Sequence, residues 1–216
     1  MFKKTVLIFT LTVAACGVVH GEAPVLAMAD VPESKIWRGY APPWSLPSAN
    51  IISPYDPVIR QAASAVGLDW RFVSAVACAE SRFDRGAVSR AGAVGLMQIM
   101  PSVARSFKVP PGEMTDPLTN VTMGARHLDQ ISKTFRFPRT MSERDRLSII
   151  LAAYNCGPGR VLDARRLAVK YGENHNSWSV VAKYLTLMND PAYYQDEVVR
   201  TGVFHDNAQT LGFVRK

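Results

Sequence analysis

The chain has 216 residues, 48% of them hydrophobic and 20% charged, and a formal net charge of +7. This length supports one well-buried domain and is short for two. The positive excess suits an anionic polymer or a membrane surface. It does not indicate a nucleic-acid partner, because no Lys/Arg run or recognition motif accompanies it, and arginine-rich stretches such as residues 160–166 are predicted to be solvated helix faces.

The first 15 residues are typical of a bacterial secretion signal. Lys3 and Lys4 precede an apolar run that is too short to span a bilayer. The run ends in Val-Ala-Ala-Cys at residues 13–16, which looks like a lipobox, so Cys16 is expected to be lipid-modified and to become the mature N-terminus. Ordinary secretion with cleavage after Ala29 is the alternative. Either route takes the protein out of the cytoplasm.

Residues 16–54 are predicted to form a Pro-rich tether, because they are rich in proline and show no apolar periodicity. Within it, Trp37, Tyr40 and Trp44 are expected to dock on the domain's own surface. Residues 55–216 are predicted to form a single domain.

That domain is predicted to be mainly α-helical. A short helix over residues 57–66 stops at Gly67, and Asp69 caps a second helix that runs to Glu80. Further helices are predicted to begin at Pro101 and at Pro117, to run from a Ser142 cap to Tyr154, and to cover residues 161–171, residues 178–188 and the stretch after Pro191.

Glu80 is expected at the C-terminal end of its helix, where the helix dipole disfavours a negative charge and raises the pKa of the carboxyl group. Residues 82–95 contain three glycines and no long apolar run, which predicts an irregular loop or a small β-hairpin over the helix end, with a cleft beneath it. Most glycosidases use two carboxylates. The nearest second one, Asp84, is predicted to cap the loop instead, which leaves Glu80 as a single acid.

Four motifs carry a resemblance to a known family. They are ESRFD from Glu80, SRAGAVGLMQIMP from Ser89, DP at residues 116–117 with Asn120 and Gly124, and AYNCGPGRV from Ala153. In this order and spacing they resemble the transglycosylase domain of family 1 lytic transglycosylases. The tail has a weaker likeness to the membrane-bound murein transglycosylase F subgroup.

The resemblance implies a goose-type lysozyme-like helical fold and a peptidoglycan substrate, cleaved between N-acetylmuramic acid (MurNAc) and N-acetylglucosamine (GlcNAc). Glu80 takes the position of the acid and base. The C6 hydroxyl of MurNAc closes on the anomeric carbon to leave a 1,6-anhydro end, and the 2-acetamido group shields the intermediate cation. No cofactor or metal is implied.

The resemblance also suggests substrate-binding residues. Tyr154 is expected to hydrogen-bond Glu80, Ser89 and Gln98 to offer polar contacts to the acetamido groups and the acid, and Asn155 to supply a further amide. Met97 is expected to form an apolar wall that raises the proton affinity of the acid. The alternatives are that Met97 is a core residue, that Ser89 caps a turn, and that Asn155 adopts the left-handed conformation before the glycines.

Cys156 departs from the family pattern, in which a small residue is more common. A disulfide between Cys78 and Cys156 and two buried thiols are both open. The expected location is the periplasm of a Gram-negative bacterium, with a lipid anchor in the outer membrane and secretion-system or wall-synthesis proteins as possible partners. The alternative functions are a hydrolysing lysozyme and a glycan-binding scaffold of an envelope-spanning secretion apparatus.

Overall fold

The structure, a computed structural model, describes residues 51–216. The signal over residues 1–15, the lipidation of Cys16 and nearly all of the tether lie outside the described residues. Within them the predicted mainly α fold is confirmed, and β structure is limited to two isolated bridges. In chain order the helices are α1 (Asp56–Val66), α2 (Trp70–Ser81), α3 (Pro101–Ser106), α4 (Pro117–Thr134), α5 (Glu143–Cys156), α6 (Pro158–Lys170), α7 (Trp178–Leu187), α8 (Pro191–Tyr194) and α9 (Asn207–Arg215), with a 3-10 helix at Pro111–Glu113.

The chain divides into two compact units, the first ending at Arg126 and the second beginning at His127. In the first unit α1 packs on α2. In the second unit α5 packs against α6, α7 and α9. Each unit buries apolar side chains completely, such as Ile59 and Val73 in the first and Ile149 and Leu167 in the second. The single domain predicted for residues 55–216 stays a prediction.

The start of the described chain is already part of the fold. Asp56 accepts hydrogen bonds from the backbone N–H of Ile52 and Ser53, at 2.8 and 2.9 Å. The Ser53 side chain donates to the same carboxylate, and only 4% of Ser53 is exposed. Ile52 and Ser53, at the end of the segment predicted as a tether, are therefore bonded to the first helix.

The predicted helix boundaries around the acid are confirmed. Gly67 ends α1 in the left-handed conformation with a φ of 71°, and Asp69 caps α2 by accepting from the backbone N–H of Arg71. The Ser142 cap of α5 is also confirmed, since its hydroxyl accepts from Asp145 N. The next helix begins earlier than predicted, at Pro158, because proline has no N–H to leave unsatisfied in a first helical turn.

A buried carboxylate fastens the segment after α8 to α6. Asp163 is fully buried and pairs with Arg166. It also accepts hydrogen bonds from the backbone N–H of Arg200 and Thr201 and from the Thr201 hydroxyl. The predicted solvated arginine face is wrong for Arg165, of which only 9% is exposed.

We expect Asp163→Asn to lower the free energy of unfolding by about 2–4 kcal/mol, because an amide presents N–H groups to donors and leaves buried partners unsatisfied. The matched control is Asp129→Asn, which breaks an exposed pair with Lys133 and should cost below about 1 kcal/mol. Urea unfolding at neutral pH measures both. Equal losses in the two variants would contradict the assigned role of Asp163.

Candidate active site

Glu80 lies in the last turn of α2, half-buried, immediately before a sharp change in chain direction. Arg82 and Phe83 follow in the left-handed region, with φ of 55° and 64°, which non-glycine residues adopt rarely. The Ser81 hydroxyl donates to the carbonyl of Leu96 at 2.8 Å. The end of the acid-bearing helix is therefore tied directly to the loop that follows it.

That loop folds back on itself as predicted, as a small and irregular β structure. Antiparallel bridges join Val88 to Val94 and Val94 to Ile99. The Ser89 hydroxyl accepts a hydrogen bond from Ala93 N at 2.9 Å. Ser89 therefore caps the turn, and its O–H remains able to donate to a ligand.

A single buried amide, that of Asn120 on α4, holds the loop. Its Oδ1 accepts from Met97 N at 2.8 Å, and its Nδ2 donates to the carbonyls of Val94 at 2.9 Å and Met114 at 2.7 Å. A Cβ on Gly95 would lie 2.5 Å from Asn120 Nδ2, and the φ of Gly95 is 78°. Only glycine fits at this position.

Met97 is fully buried and packs on α4 at Gly124. A Cβ on Gly124 would lie 2.7 Å from both Cγ and Cε of Met97. Met97 therefore lies in the core and has no exposed surface for a substrate, so any effect it has on the acid acts through the loop.

Gln98 adopts a φ of 46° and turns its side chain back onto the loop. Its Nε2 donates to the carbonyls of Ala87 at 3.1 Å and Gly95 at 3.0 Å. Both amide hydrogens are thus used within the loop. Gln98 can meet a ligand through its Oε1, which accepts but does not donate.

The other five carboxylates among residues 51–126 are placed for different tasks. Asp84 accepts from Gly86 N at 2.8 Å, which confirms it as a loop cap. Three more accept backbone N–H groups at helix starts, and Glu113 is exposed on the 3-10 helix; the three are Asp56, Asp69 and Asp116. Within residues 51–216, no group of three or more His, Cys, Asp or Glu side chains is placed to hold a metal ion.

Tyr154 and Asn155 lie in the last turn of α5, in the second unit. Asn155 Oδ1 accepts from the hydroxyl of Thr210, a buried residue of α9, at 2.7 Å. Asn155 is helical, so its left-handed alternative is wrong. The Tyr154 ring lies 5.5 Å from the His127 ring at an angle of 54°. The hydrogen bond between Tyr154 and Glu80 stays a prediction.

Cys156 carries a free thiol, so the bridge to Cys78 is not formed. Burial raises the pKa of the Cys156 thiol to about 11. Because the thiolate is the reactive form, this thiol is protonated and unreactive at neutral pH.

The sequence motifs include Asn120 without indicating its task, and they do not indicate the contributions of Ser81 and Thr210. One signal was available for Asn120. It is a short amide at a core-facing position of an amphipathic helix, where an apolar side chain is expected. The partners of Ser81 and Thr210 are distant in sequence, and nothing local indicates them.

A family model described as the transglycosylase SLT domain matches residues 57–177. Among curated proteins, the chain is 38% identical over 145 residues to a membrane-bound lytic murein transglycosylase F of Maricaulis maris, covering 67% of this chain and 31% of that protein. It is 34% identical over 145 residues to the protein of the same name from Salmonella choleraesuis, covering 67% and 27%. The chain thus spans less than a third of the length of these relatives.

Two solved structures are also similar. One is an inactive mutant of the lytic transglycosylase Slt of Pseudomonas aeruginosa, with a TM-score of 0.48, 24% identity and coverage of 73% of this chain and 23% of that one. The other is the 70 kDa soluble lytic transglycosylase of Escherichia coli, with a TM-score of 0.47, 25% identity and coverage of 74% and 24%.

We expect Asn120→Ala to lower the free energy of unfolding by about 3–5 kcal/mol, because three buried backbone groups lose their partner and a cavity remains. Asn189→Ala is the matched control, since Asn189 is exposed and its side chain bonds the exposed His205 ring. It should cost below about 1 kcal/mol. Thermal or urea unfolding reports both values, and a loss below 1 kcal/mol for Asn120→Ala would contradict its role as the loop anchor.

Burial lowers the pKa of His127 below its ordinary value of 6.5. As the pH falls, the unfolded chain therefore binds this proton before the folded chain does. The contribution of neutral His127 to the free energy of unfolding is complete above pH 6.5 and is lost as the pH falls toward the pKa of the folded state. We expect His127→Gln to reduce the loss of stability on acidification, and His205→Gln is the matched replacement of an exposed imidazole. His175, whose pKa burial also lowers, keeps part of the slope. Urea unfolding at a series of pH values below 6.5 measures the free energy of unfolding of each variant. An identical dependence on pH in wild type and His127→Gln would contradict the role assigned to His127.

Proposed function

We propose that the chain, which belongs to the transglycosylase SLT domain family, is a lytic transglycosylase. It cleaves the β-1,4 bond between MurNAc and GlcNAc of peptidoglycan and leaves 1,6-anhydro-MurNAc ends. The observation that carries the proposal is that Glu80 lies in the last turn of α2 and that its neighbour Ser81 bonds the loop fixed by Asn120.

In this proposal Glu80 is both the acid and the base. As the bond between the MurNAc anomeric carbon and the bridging oxygen breaks, the protonated carboxyl gives its proton to that oxygen, which leaves with GlcNAc. The resulting carboxylate then removes the proton of the MurNAc C6 hydroxyl, whose oxygen bonds to the anomeric carbon. The carboxyl is protonated again at the end, and no water is consumed.

A single acid suffices because the substrate supplies the other groups. The C6 hydroxyl is the nucleophile, and the 2-acetamido group shields the positive charge at the anomeric carbon. The proposal of a single acid is supported by the state of four other carboxylates, which are already bound to backbone N–H groups. They are Asp56, Asp69, Asp84 and Asp116. The C-terminal end of α2 disfavours an anion at Glu80, which suits a group that must begin as an acid.

The remaining site residues would position the sugar and the acid. Gln98 Oε1 can accept the N–H of an acetamido group, and the Ser89 O–H can donate to its carbonyl. Tyr154 would hydrogen-bond Glu80 and hold the carboxyl in register. Asn155 can offer its Nδ2, since its Oδ1 is bound to Thr210. Met97 supports the loop from the core.

The proposed place of action is the periplasm of a Gram-negative bacterium, with an anchor to the outer membrane through a lipid on Cys16. The apolar run before Cys16 supports this, as do relatives whose names describe them as membrane-bound. No helix of residues 51–216 is both long and apolar enough to cross a bilayer. Wall-synthesis or secretion-system proteins are the proposed partners.

Mass spectrometry of the soluble products from purified peptidoglycan sacculi tests the reaction. We expect anhydro-muropeptides from the wild-type chain and a loss of at least about a hundredfold in rate for Glu80→Gln, because an amide cannot transfer the proton. Asp84→Asn is the matched control, since it makes the same change at an exposed cap, and it should stay within about threefold of wild type.

Other products would identify the alternatives. Reducing ends in place of anhydro ends would mean that water replaces the C6 hydroxyl and that the chain is a hydrolysing lysozyme. No product from any variant would favour a glycan-binding scaffold.

A further inference from the structure

A groove of about 460 Å³ lies along α6 in the second unit. Its apolar lining comes from Leu162, Val169 and Val198, and its polar lining from three cationic side chains and His175. Val169 is a large hydrophobic residue with 59% of its surface exposed. The groove has the size of a small-molecule site, for which about 300–1,000 Å³ is usual.

One of the cations, Arg165, is nine-tenths buried, with 9% of its surface exposed. Its Nε donates to the His175 carbonyl at 3.0 Å and its Nη2 to Asn176 Oδ1 at 2.8 Å. The guanidinium carbon lies 5.4 and 5.5 Å from the ring centroids of Phe135 and Phe137. These contacts fix the guanidinium in one orientation, but all of its hydrogen-bond acceptors are neutral.

The neighbouring cations each have a carboxylate. Arg166 pairs with the buried Asp163, and Lys170 with Asp196 and Glu197. For Arg165 the described residues provide no carboxylate partner, although its charge is largely removed from water. Burial lowers its pKa, and burial and then the Arg165 charge lower the pKa of His175. Of the three cations that line the groove, Arg165 is thus the one without a direct carboxylate contact among the described residues.

Buried charges in proteins are normally paired, because an unpaired one is costly to remove from water. Contact with two aromatic faces compensates part of that cost. A carboxylate that entered the groove would compensate the remaining cost of burying the Arg165 charge, since arginine binds carboxylates through strong charge-assisted hydrogen bonds. The ligand that fits is therefore small, acidic and partly aliphatic.

We propose that this groove binds a carboxylate of the short peptide that peptidoglycan carries on its muramic acid. The identity of this ligand rests on the proposed function, because peptidoglycan is the proposed substrate. The peptide has both required features: carboxylates for Arg165 and methyl and methylene groups for the aliphatic lining. Glycan stripped of its peptide keeps the lactyl carboxylate of muramic acid but lacks the longer aliphatic chain of the peptide, and a stable protein partner would bury about 800 Å² of surface. The chain would accordingly prefer peptide-bearing glycan to glycan stripped of peptides.

The test is a calorimetric or NMR titration of the full-length protein with the free tetrapeptide L-alanyl-D-glutamyl-meso-diaminopimelyl-D-alanine. We expect saturable binding that weakens at least tenfold in Arg165→Met. The control Arg144→Met removes the same charge from an exposed position at the start of α5 and should leave the affinity unchanged.

A second pair of variants covers the case in which Arg165→Met does not fold. Because Val169 is exposed, Val169→Glu leaves the core intact, adds a negative charge beside the ligand carboxylate and should weaken binding at least tenfold. Val169→Gln has nearly the same size without the charge and should retain most of the affinity. Absence of binding to the wild type, or affinities unchanged in both Arg165→Met and Val169→Glu, would overturn the proposal.

The tetrapeptide contains no glycosidic bond, so the titration reports the groove independently of cleavage. If the peptide did not bind but the chain still made anhydro products from sacculi, the groove proposal would be wrong and the transglycosylase proposal would stand. If the chain bound the peptide through Arg165 but made no anhydro products, the groove proposal would stand and the transglycosylase proposal would fall. Arg165→Met should raise KM for peptide-bearing glycan and leave kcat unchanged, and it should raise KM less for peptide-free glycan, which offers a carboxylate without the aliphatic chain.

Discussion

The hydrogen bonds of the Asn120 side chain are the constraint on which the candidate active site depends. One amide satisfies backbone groups of Met97, Val94 and Met114, which come from two separate segments of the chain. Buried backbone groups require partners, and an irregular loop has no regular ladder to provide them. Asn120 supplies these partners from a rigid helix, so the loop after the acid can be irregular in sequence and still have one conformation.

Close packing around this amide explains the two glycines near it. Gly95 allows Asn120 to approach the loop backbone, and Gly124 allows Met97 to lie directly on α4. The Gln98 side chain adds two hydrogen bonds within the loop. Residues that are adjacent in the motif from Ser89 to Pro101 therefore differ in role. Some of their polar groups hold the loop, and others remain able to bind a ligand. This division gives the loop that follows Glu80 a fixed conformation, which the proposed proton transfer requires.

The second unit shows two opposite solutions to buried charge on one helix. Asp163 is surrounded by donors and fastens the chain after α8 to α6. Arg165 is nearly as buried, but its partners are neutral carbonyl oxygens and aromatic rings. The first arrangement is complete within the protein and stabilises it. The second has capacity for an anion, which is why we assign binding to Arg165 and a structural role to Asp163.

The sequence by itself determined the mainly α class, most helix boundaries, the cap at Asp84 and the position of Glu80 at a helix end. These features depend on local rules: apolar periodicity, capping side chains, and the special backbone preferences of glycine and proline. Only the tertiary structure decided that Met97 is a core residue, that Asn120 anchors the loop, and that Arg165 is buried. Those facts depend on contacts between residues distant in the chain, and a side chain's periodic position does not reveal which distant group will cover it or satisfy its hydrogen bonds.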